Sequence, residues 1–512
     1  MEFARALIFA RNASIVAQPH PRPPLNRSNL TPVHSAAYSR KFTMSSLDYA
    51  SIAEVSALIR AKQLSPIELL DSQLARIAAL QPKLNAFVHL DPDAARTAAL
   101  SATEQLAQDS SLGALHGIPV TVKSCIEVAG WPNPAGSLLR ANEVPSRSAT
   151  FVDRLRAAGA IIVGTTNTPE FLMAYETDNR LSGRTSNPWN LEYSSGGSSG
   201  GEAAAIAAGL SFGGIGSDGG GSIRVPAHFC GICGLKPTPG RIPTTGHFPP
   251  GNNSYGWIGV VGPLARTAAD VRVLFDILAG PDAADALTVP APLQEISAEA
   301  AQNTRIGILD TSSVGPATPE SLAAVARAAK LLEQSGFHVE PFQLHRLDRA
   351  LDLWWFFFGT LIGQLFAEAV AGKESQLSPI FVDYMNAARV ASPIPMLEFV
   401  AKSSARDFER ARILKAMEEV PVLLSPVSTT PAFHHGEGTW RSPYGYRETM
   451  RHSQWLNLAG LPGITMPIST SSDGLPIGVQ LIGRPFADET VIGLGAAFQK
   501  VTDHHRRVPK LQ

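Results

Sequence analysis

Glycine residues become unusually dense between Ser194 and Gly221, and this feature constrains the fold of the chain more than any other. The glycines are interrupted by residues 202–210, whose alanine-rich composition strongly favours a helix. Glycine tolerates backbone conformations and close approaches that a side chain forbids. The segment therefore predicts a helix flanked on both sides by tight glycine turns.

The rest of the chain alternates between helical and strand patterns. Ser65 and Pro66 predict a helix N-cap and first turn, and apolar residues follow at helical spacing. Residues 118–122 predict a short buried strand that ends at Lys123. Further helices are predicted over 151–158, 270–278 and 319–334, and further strands over 161–163, 306–309 and 337–342. This alternation predicts an α/β protein, with an alanine- and proline-rich linker or surface loop over 281–304.

Size and composition narrow the classes of function. The chain has 512 residues, 44% of them hydrophobic and 17% charged, which is enough for a large core in one domain or two. Its formal net charge of −1 gives no excess of positive charge that would bind nucleic acid or an anionic membrane. A neutral small-molecule substrate fits better. Three cysteines, Cys125, Cys230 and Cys233, are too few for a disulfide framework and indicate a reducing compartment. Cys230 and Cys233 have CxxC spacing without a further pair of ligands nearby, so buried structural cysteines are expected.

The first 43 residues differ in composition from the remainder. They contain a single acidic residue, Glu2, and five arginines: Arg5, Arg11, Arg22, Arg27 and Arg40. This excess of arginine is typical of organellar transit peptides. The region has no clear amphipathic period, so we prefer a disordered leader or a true start at Met44, and a cytoplasmic protein. The nearest approach to a membrane span, residues 351–366, is broken by Asp352 and Gln364, and no span is predicted.

Two short glycine patterns match other enzyme classes but lack the context that those classes need. Residues 214–219 satisfy the dinucleotide pattern GxGxxG, yet more glycine and then Pro226 follow where a helix should begin. Residues 196–200 satisfy the nucleophile-elbow pattern GxSxG, which leaves an α/β-hydrolase-type esterase with Ser198 as its nucleophile as an alternative. The polar segment before it, which carries Pro188, does not predict the apolar strand that an elbow requires.

Longer motifs carry a more specific signal. Residues 196–202 (GGSSGGE) and 216–227 (GSDGGGSIRVPA) resemble the signature segment of the amidase signature family, and residues 116–124 (HGIPVTVKS) resemble its lysine strand. The resemblance extends from near Ser45 to near Lys500, through residues 185–190, 229–238, 457–463 and 474–483. It implies a large mixed, twisted β-sheet flanked by helices on both faces. It also implies one domain over 44–512, with a signature core over about 115–240 and a variable specificity region over about 345–455.

The same resemblance implies a set of catalytic residues. Ser222 is the nucleophile, Ser198 is a bridging serine on a cis peptide bond, and Lys123 is the general base. An oxyanion hole is implied at the backbone N–H groups of Gly219, Gly220, Gly221 and Ser222. Hydrogen bonds and an ion pair are expected to hold this loop through Ser199, Asp218 and Arg224. Neither a cofactor nor a metal ion is implied.

A lysine base has a physical requirement that the sequence can meet. A serine hydroxyl is a weak nucleophile, and a lysine with its ordinary pKa of about 10.4 is protonated at neutral pH and cannot act as a base. The strand that ends at Lys123 is apolar, so burial should lower the lysine pKa. Ser198 can then accept a proton from Ser222 and pass its own to Lys123. Consecutive glycines before Ser222 allow backbone N–H groups to converge on the developing oxyanion.

The sequence departs from the usual family pattern in two places. Gly219 stands where the family more often carries a side chain, and Ser217 replaces the commoner threonine. The extra glycine either loosens the oxyanion loop or admits bulkier acyl groups. Neither change removes a catalytic group.

The variable region suggests the kind of amide. Residues 354–358 and 361–366 predict a helix that is apolar nearly all round, which fits the core, an oligomer interface such as that of a homodimer, or a wall of an acyl pocket. We therefore predict a free-standing amidase that cleaves apolar or aryl amides, with esters and carbamates as further substrates. An alternative within the family is the A subunit of a tRNA-dependent glutamine amidotransferase. Such subunits carry a different polar stretch at this place, and a silent scaffold is disfavoured by the complete set of lysine and serines.

Overall fold

The computed structural model describes residues 47–108, 112–251, 256, 258–388, 393–440 and 445–511. The predicted leader over residues 1–43 lies outside these ranges. Within them, the strands are β1 Phe87–Leu90, β2 Pro119–Lys123, β3 Ile161–Thr166, β4 Ser186–Asn187, β5 Asn190–Ser194, β6 Gly213–Asp218, β7 Cys233–Lys236, β8 Val260–Ala265, β9 Arg305–Leu309, β10 His338–Phe342, β11 Val422–Pro426, β12 Gly463–Thr470 and β13 Pro476–Gly483.

The helices in the described ranges are α1 Ile52–Arg60, α2 Pro66–Leu84, α3 Pro92–Ala107, α4 Thr150–Ala157, α5 Gly200–Ala207, α6 Arg224–Cys230, α7 Ala268–Leu278, α8 Ala298–Gln302, α9 Pro319–Gln334, α10 Leu347–Trp355, α11 Ile362–Val370, α12 Pro379–Ala388, α13 Met396–Ala416, α14 Tyr446–Thr449, α15 Arg451–Ala459 and α16 Asp488–Phe498. A π-helical segment, Phe356–Leu361, joins α10 to α11. The predicted helices and strands outside the glycine-rich segment are present, with ends that agree within three residues except in the apolar helix predicted over 354–366, which extends over Leu347–Val370.

The main sheet has 11 strands among the described residues, in the order β1-β3-β2-β6-β8-β7-β12-β13-β11-β9-β10. It is mixed, because β2 pairs in parallel with β3 and β6, whereas β6 and β8 pair antiparallel. Strands from both sides of the predicted linker at 281–304 join this one sheet. Because β2 and β6 run side by side in the same direction, their carboxyl ends, Lys123 and Asp218, reach the same edge.

Helices cover both faces of this sheet. Successive residues of a strand point to opposite faces. A Cβ built on Gly213 would meet Leu274 of α7, and a Cβ built on the next residue, Gly214, would meet Glu202 of α5. Helices α5 and α7 therefore lie on opposite faces, and the prediction of a mixed sheet flanked by helices on both faces is confirmed.

Helix α5 is the alanine-rich helix predicted between the glycine turns. It begins at Gly200, two residues earlier than predicted, and every one of its residues is buried. Small residues allow this close packing, since a Cβ on Gly201 would approach the backbone nitrogen of Asn167 to 2.4 Å. The helix consequently holds the turn before it, residues 195–199, against the end of β2.

The apolar segment Leu347–Val370, called the aromatic helix below, lies in the interior. By length and composition this segment could cross a membrane, although residues 351–366 by themselves do not predict a span. However, most of it is buried inside the protein, which is the environment of a core helix. Trp354, near its middle, is completely buried.

Candidate active site

Lys123 occupies the end of β2 and has no solvent exposure. Its Nζ donates to Ser198 Oγ at 2.6 Å and to Ser217 Oγ at 3.2 Å. Burial lowers the pKa of Lys123 to about 8, opposed by the negative charges of nearby Asp218 and Glu202. The lysine predicted as general base thus lies in the environment that this role requires.

Ser198 lies in the turn that leads into α5. The Gly197–Ser198 peptide bond is cis, as the family resemblance implies. The backbone carbonyl of Ser198 accepts a hydrogen bond of 2.8 Å from Thr168 Oγ1. Gly197 has no room for a side chain, because a Cβ there would lie 2.7 Å from the carbonyl oxygen of Ala174. The turn is therefore fixed from several sides around the hydroxyl that contacts Lys123.

Ser222 follows the glycine turn at the end of β6 and is 7% exposed. Its carbonyl oxygen accepts a hydrogen bond of 3.1 Å from Ser199 N, which ties the two serine segments together. Its Oγ forms no hydrogen bond with any group in the described ranges. The Lys123–Ser198 half of the predicted relay is in place, and the link from Ser198 to Ser222 needs a closer approach of the Ser222 hydroxyl, of the kind that substrate binding often brings.

Asp218 and Arg224 form a fully buried ion pair beneath this turn. Asp218 accepts hydrogen bonds from Arg224 Nε at 3.0 Å and Nη2 at 2.9 Å, and also from Ile223 N at 3.1 Å. Burial alone would raise the pKa of Asp218, but Arg224 holds it far below its ordinary value. Asn457 and Gln480 complete the network by contacting Arg224 at 2.6 Å and 3.1 Å. The ion pair therefore has the supporting place predicted for it.

The third predicted supporting residue, Ser199, bridges the same two segments. Its Oγ donates to the carbonyl oxygen of Ser217 and accepts from Ser217 N, both at 3.4 Å. These contacts hold the start of α5 against β6.

The four predicted oxyanion donors are not equivalent. Gly221 N donates to Asp218 Oδ1 at 2.7 Å, so this N–H is already engaged. Among the described residues, the N–H groups of Gly219, Gly220 and Ser222 have no protein acceptor. Three of the four predicted donors therefore remain available to a ligand, because the Asp218 carboxylate that holds the loop also accepts from the fourth.

Glu202 is a buried acid beside the site, and the motif that contains it did not indicate a role for it. It accepts a hydrogen bond of 2.7 Å from Thr166 Oγ1 and another from Thr121 Oγ1. Burial raises the pKa of Glu202 to about 7, against the hydrogen bonds of the two threonines and the charge of Lys123. Its charge state is therefore poised to change near neutral pH, next to the proposed base.

Two further contacts of the site join distant parts of the chain and cannot be predicted from the sequence. Trp354 Nε1 donates to the carbonyl oxygen of Gly219 at 2.8 Å. Tyr175 Oη donates to the carbonyl oxygen of Gly220 at 2.7 Å. The apolar composition of residues 354–358 predicts a buried helix, but it does not indicate which ring contacts the glycine turn.

The alternative motifs have other places in the fold. The GxGxxG match lies largely within β6 and opens no helix. The segment before the GxSxG match, β5, pairs with β4 in a separate two-stranded sheet, and Ser198 bonds to a lysine instead of a histidine. Cys230 and Cys233 are free and buried, as expected. In the described part of the chain, no cluster of three or more His, Cys, Asp or Glu side chains could hold a metal ion.

Comparisons with known proteins identify similar sequences and structures. A sequence profile described as Amidase matches residues 68–492. The A subunit of the glutamyl-tRNA(Gln) amidotransferase of Chloroflexus aggregans is 34% identical over 496 residues, covering 91% of this chain and 99% of that protein. The structure of the corresponding A subunit from Thermotoga maritima has a TM-score of 0.73 at 28% identity, covering 89% of this chain and 95% of that chain. A bacterial aryl acylamidase of the amidase signature family has a TM-score of 0.79 at 25% identity, covering 90% and 98%.

Proposed function

The chain belongs to the amidase signature family of C–N hydrolases, and on that premise we propose that it cleaves a carboxamide through an acyl-enzyme on Ser222. The observation that carries the proposal is the 2.6 Å hydrogen bond from Lys123 to Ser198, made where burial lowers the pKa of Lys123 to about 8. A lysine with this pKa is neutral in a useful fraction of molecules near pH 8 and can accept a proton.

The proposed reaction has two halves. In acylation, Ser222 Oγ attacks the amide carbon while its proton passes to Ser198, whose own proton passes to Lys123. The developing oxyanion accepts hydrogen bonds from the N–H groups of Gly219, Gly220 and Ser222. The C–N bond then breaks, and the nitrogen leaves with the proton that Lys123 returns through Ser198. A water molecule hydrolyses the ester on Ser222 through the same relay.

Covalent labelling tests this assignment. A fluorophosphonate should label the wild-type protein on the peptide that contains Ser222, and Ser222→Ala should abolish both labelling and hydrolysis while the melting temperature stays unchanged. Ser471, which is buried to a similar extent (8% exposed) but lies in the turn between β12 and β13, gives the matched control Ser471→Ala. Labelling of any other serine, Ser198 included, would contradict the proposal.

Two kinds of amide are candidates, each with its own support. The 34% identity to the A subunit of an amidotransferase, over nearly the whole length of that protein, favours the amide of glutamine and a complex with other subunits. The aromatic helix at the glycine turn favours an apolar or aryl acyl group, although the comparisons support the first candidate more strongly. The three free cysteines fit a reducing compartment such as the cytoplasm in either case.

A substrate panel separates the two candidates. The purified chain is assayed for ammonia release from glutamine and for cleavage of acyl anilides, primary aryl amides, esters and carbamates, with Ser222→Ala as the blank. A component of an amidotransferase should prefer glutamine, whereas a free-standing amidase should prefer aryl amides by a large factor in kcat/KM. Light scattering of the same sample distinguishes a monomer from a homodimer.

A further inference from the structure

Two aromatic side chains bind the glycine turn before Ser222, here called the oxyanion loop (residues 219–222), through its carbonyl oxygens. Trp354 Nε1 lies 2.8 Å from the Gly219 oxygen, and Tyr175 Oη lies 2.7 Å from the Gly220 oxygen. Both donors are at most 2% exposed. Through these hydrogen bonds, both side chains act on the backbone of the loop.

Peptide geometry makes that influence specific. In a trans peptide unit, the C=O of one residue and the N–H of the next point in opposite directions within one plane. The Trp354 bond to the Gly219 carbonyl therefore fixes the direction of the Gly220 N–H, one of the three free donors. The next peptide unit is held at both ends, because Tyr175 bonds the Gly220 carbonyl and Asp218 accepts from the Gly221 N–H at 2.7 Å.

The two rings also leave no space for a side chain at Gly220. A Cβ on Gly220 would lie 2.4 Å from Trp354 Cζ2 and 2.7 Å from Tyr175 Oη. Consecutive glycines gain no rigidity from side chains of their own, since glycine has wide conformational freedom. The rings replace that missing rigidity by packing and by hydrogen bonds.

Each donor is in turn fixed by its surroundings. Trp354 stacks on Phe358, one helical turn further along the aromatic helix, with ring centroids 4.7 Å apart and an angle of 14°. Tyr175 packs edge-on against Tyr446 at 5.4 Å and accepts a weak hydrogen bond of 3.4 Å from Gln454 Nε2. Burial raises the pKa of Tyr175, so its hydroxyl stays protonated and remains a donor.

We propose that Trp354 and Tyr175 are positioning residues for the oxyanion loop. Trp354 sets the direction of the Gly220 N–H, whereas Tyr175 fixes the peptide plane between Gly220 and Gly221, which separates the two peptide units that present the Gly220 and Ser222 N–H groups to the transition state. The aromatic helix from the variable part of the chain then sets the catalytic power of the loop as well as bordering the site. This inference rests on the function proposed above. It predicts that loss of either donor weakens binding of the tetrahedral transition state far more than binding of the substrate.

The test compares two variants with two matched controls. Trp354→Phe and Tyr175→Phe each remove one donor to the loop and keep an aromatic ring. Trp189→Phe removes a Trp donor to another buried carbonyl, that of Cys230 at 2.8 Å, and Tyr49→Phe removes a half-buried Tyr hydroxyl that accepts a hydrogen bond from Arg76 of α2. The readouts are kcat, KM, melting temperature, and inhibition by a boronic acid that forms a tetrahedral adduct on Ser222.

The expected result is a fall of about tenfold to a hundredfold in kcat for each loop variant, with KM changed less than about threefold, since loss of a whole oxyanion donor costs about 10²–10³. Boronate affinity should fall in parallel, while affinity for the product carboxylate should hold. The two controls should stay within about threefold of wild type in kcat.

Folded loop variants with near wild-type kcat and boronate affinity would overturn the inference, as would equal losses in the controls. If Trp354→Phe melts below the assay temperature, Tyr175→Phe, which removes a single oxygen atom, decides the matter. Failure of the proposed function is recognised separately, because the fluorophosphonate would then not label Ser222 of the wild-type protein.

Discussion

The pH dependence of acylation follows from the burial of Lys123. Burial lowers the pKa of this lysine from 10.5 to about 8, and the neutral form is the one that accepts a proton. Activity should therefore rise with pH as the ammonium group loses its proton, and it should level off once the lysine is neutral. The sign is opposite for a mechanism that needs a protonated lysine, in which activity would fall over the same range.

The size of the effect separates a buried lysine from an ordinary one. With a pKa of about 8, the neutral fraction is about 9% at pH 7 and about 91% at pH 9, so acylation should rise about tenfold and then reach a plateau. With an ordinary pKa near 10.4, the same interval would give a rise of about a hundredfold and no plateau below about pH 10.

The assay is single-turnover acylation between pH 6 and 10, with melting temperatures at each pH. Glu202, whose pKa burial raises to about 7, titrates beside Lys123, so the profile is also recorded for Glu202→Gln. Burial also shifts the pKa of groups outside the proposed relay. Lys236 on β7 is fully buried, and burial lowers its pKa to about 7. Lys236→Met is therefore the matched control, and its acylation rate should show the same pH profile as that of wild type. Burial lowers the pKa of His247 to about 3, so this histidine stays neutral throughout.

Lys123→Ala should lose the plateau and reduce acylation by several powers of ten, as removal of one member of a cooperating catalytic set commonly does. Near wild-type acylation in this variant, with the same pH profile, would refute the lysine mechanism. A histidine base would then be required, and an esterase that uses Ser198 would regain support.

Other consequences of the structure can be checked on the same protein. Ser198→Ala should be no more damaging than Lys123→Ala, because water can partly replace the bridging hydroxyl, and the double variant should be far from additive in acylation rate. Glu202→Gln should move the rise in acylation rate to lower pH, because the negative charge of Glu202 raises the pKa of Lys123. Single-turnover profiles in which the rise stays at the same pH would contradict this. Asp218→Asn should lower the free energy of unfolding by about 3–5 kcal/mol in urea titrations, because Arg224 would remain buried without its partner; a loss below about 1 kcal/mol would contradict the supporting role.

The parts of the site that local sequence specifies were predictable. Lys123 ends an apolar run short enough to be a buried strand, and the alanine-rich helix between the glycine turns has few other conformations open to it. The placement of Asp218 and Arg224 beside Ser222 follows from their closeness to it in the chain. Resemblance to the family supplied the roles proposed for the two serines, which spacing alone could not supply.

The hydrogen bond from the Gly221 N–H to Asp218 could not be predicted from the same motif. Four consecutive backbone N–H groups precede or include Ser222, and sequence gives them equal status as oxyanion donors. Only the conformation of the turn decides that Asp218 accepts from one of them at 2.7 Å. The carboxylate that fixes the loop thereby reduces the number of donors available to the substrate.

The contacts of Trp354 and Tyr175 could not be predicted from the sequence for a different reason. Trp354 is 135 positions from Gly219, and a helix that is apolar all round presents no face that sequence could orient. The acceptor is a backbone carbonyl, so nothing in the oxyanion loop encodes which donor reaches it. Any buried N–H or O–H of suitable position would hold the same peptide plane. If Trp354 positions the loop as we propose, the variable region can change only where some donor still reaches the Gly219 carbonyl, and substrate specificity is then coupled to the geometry of the oxyanion loop.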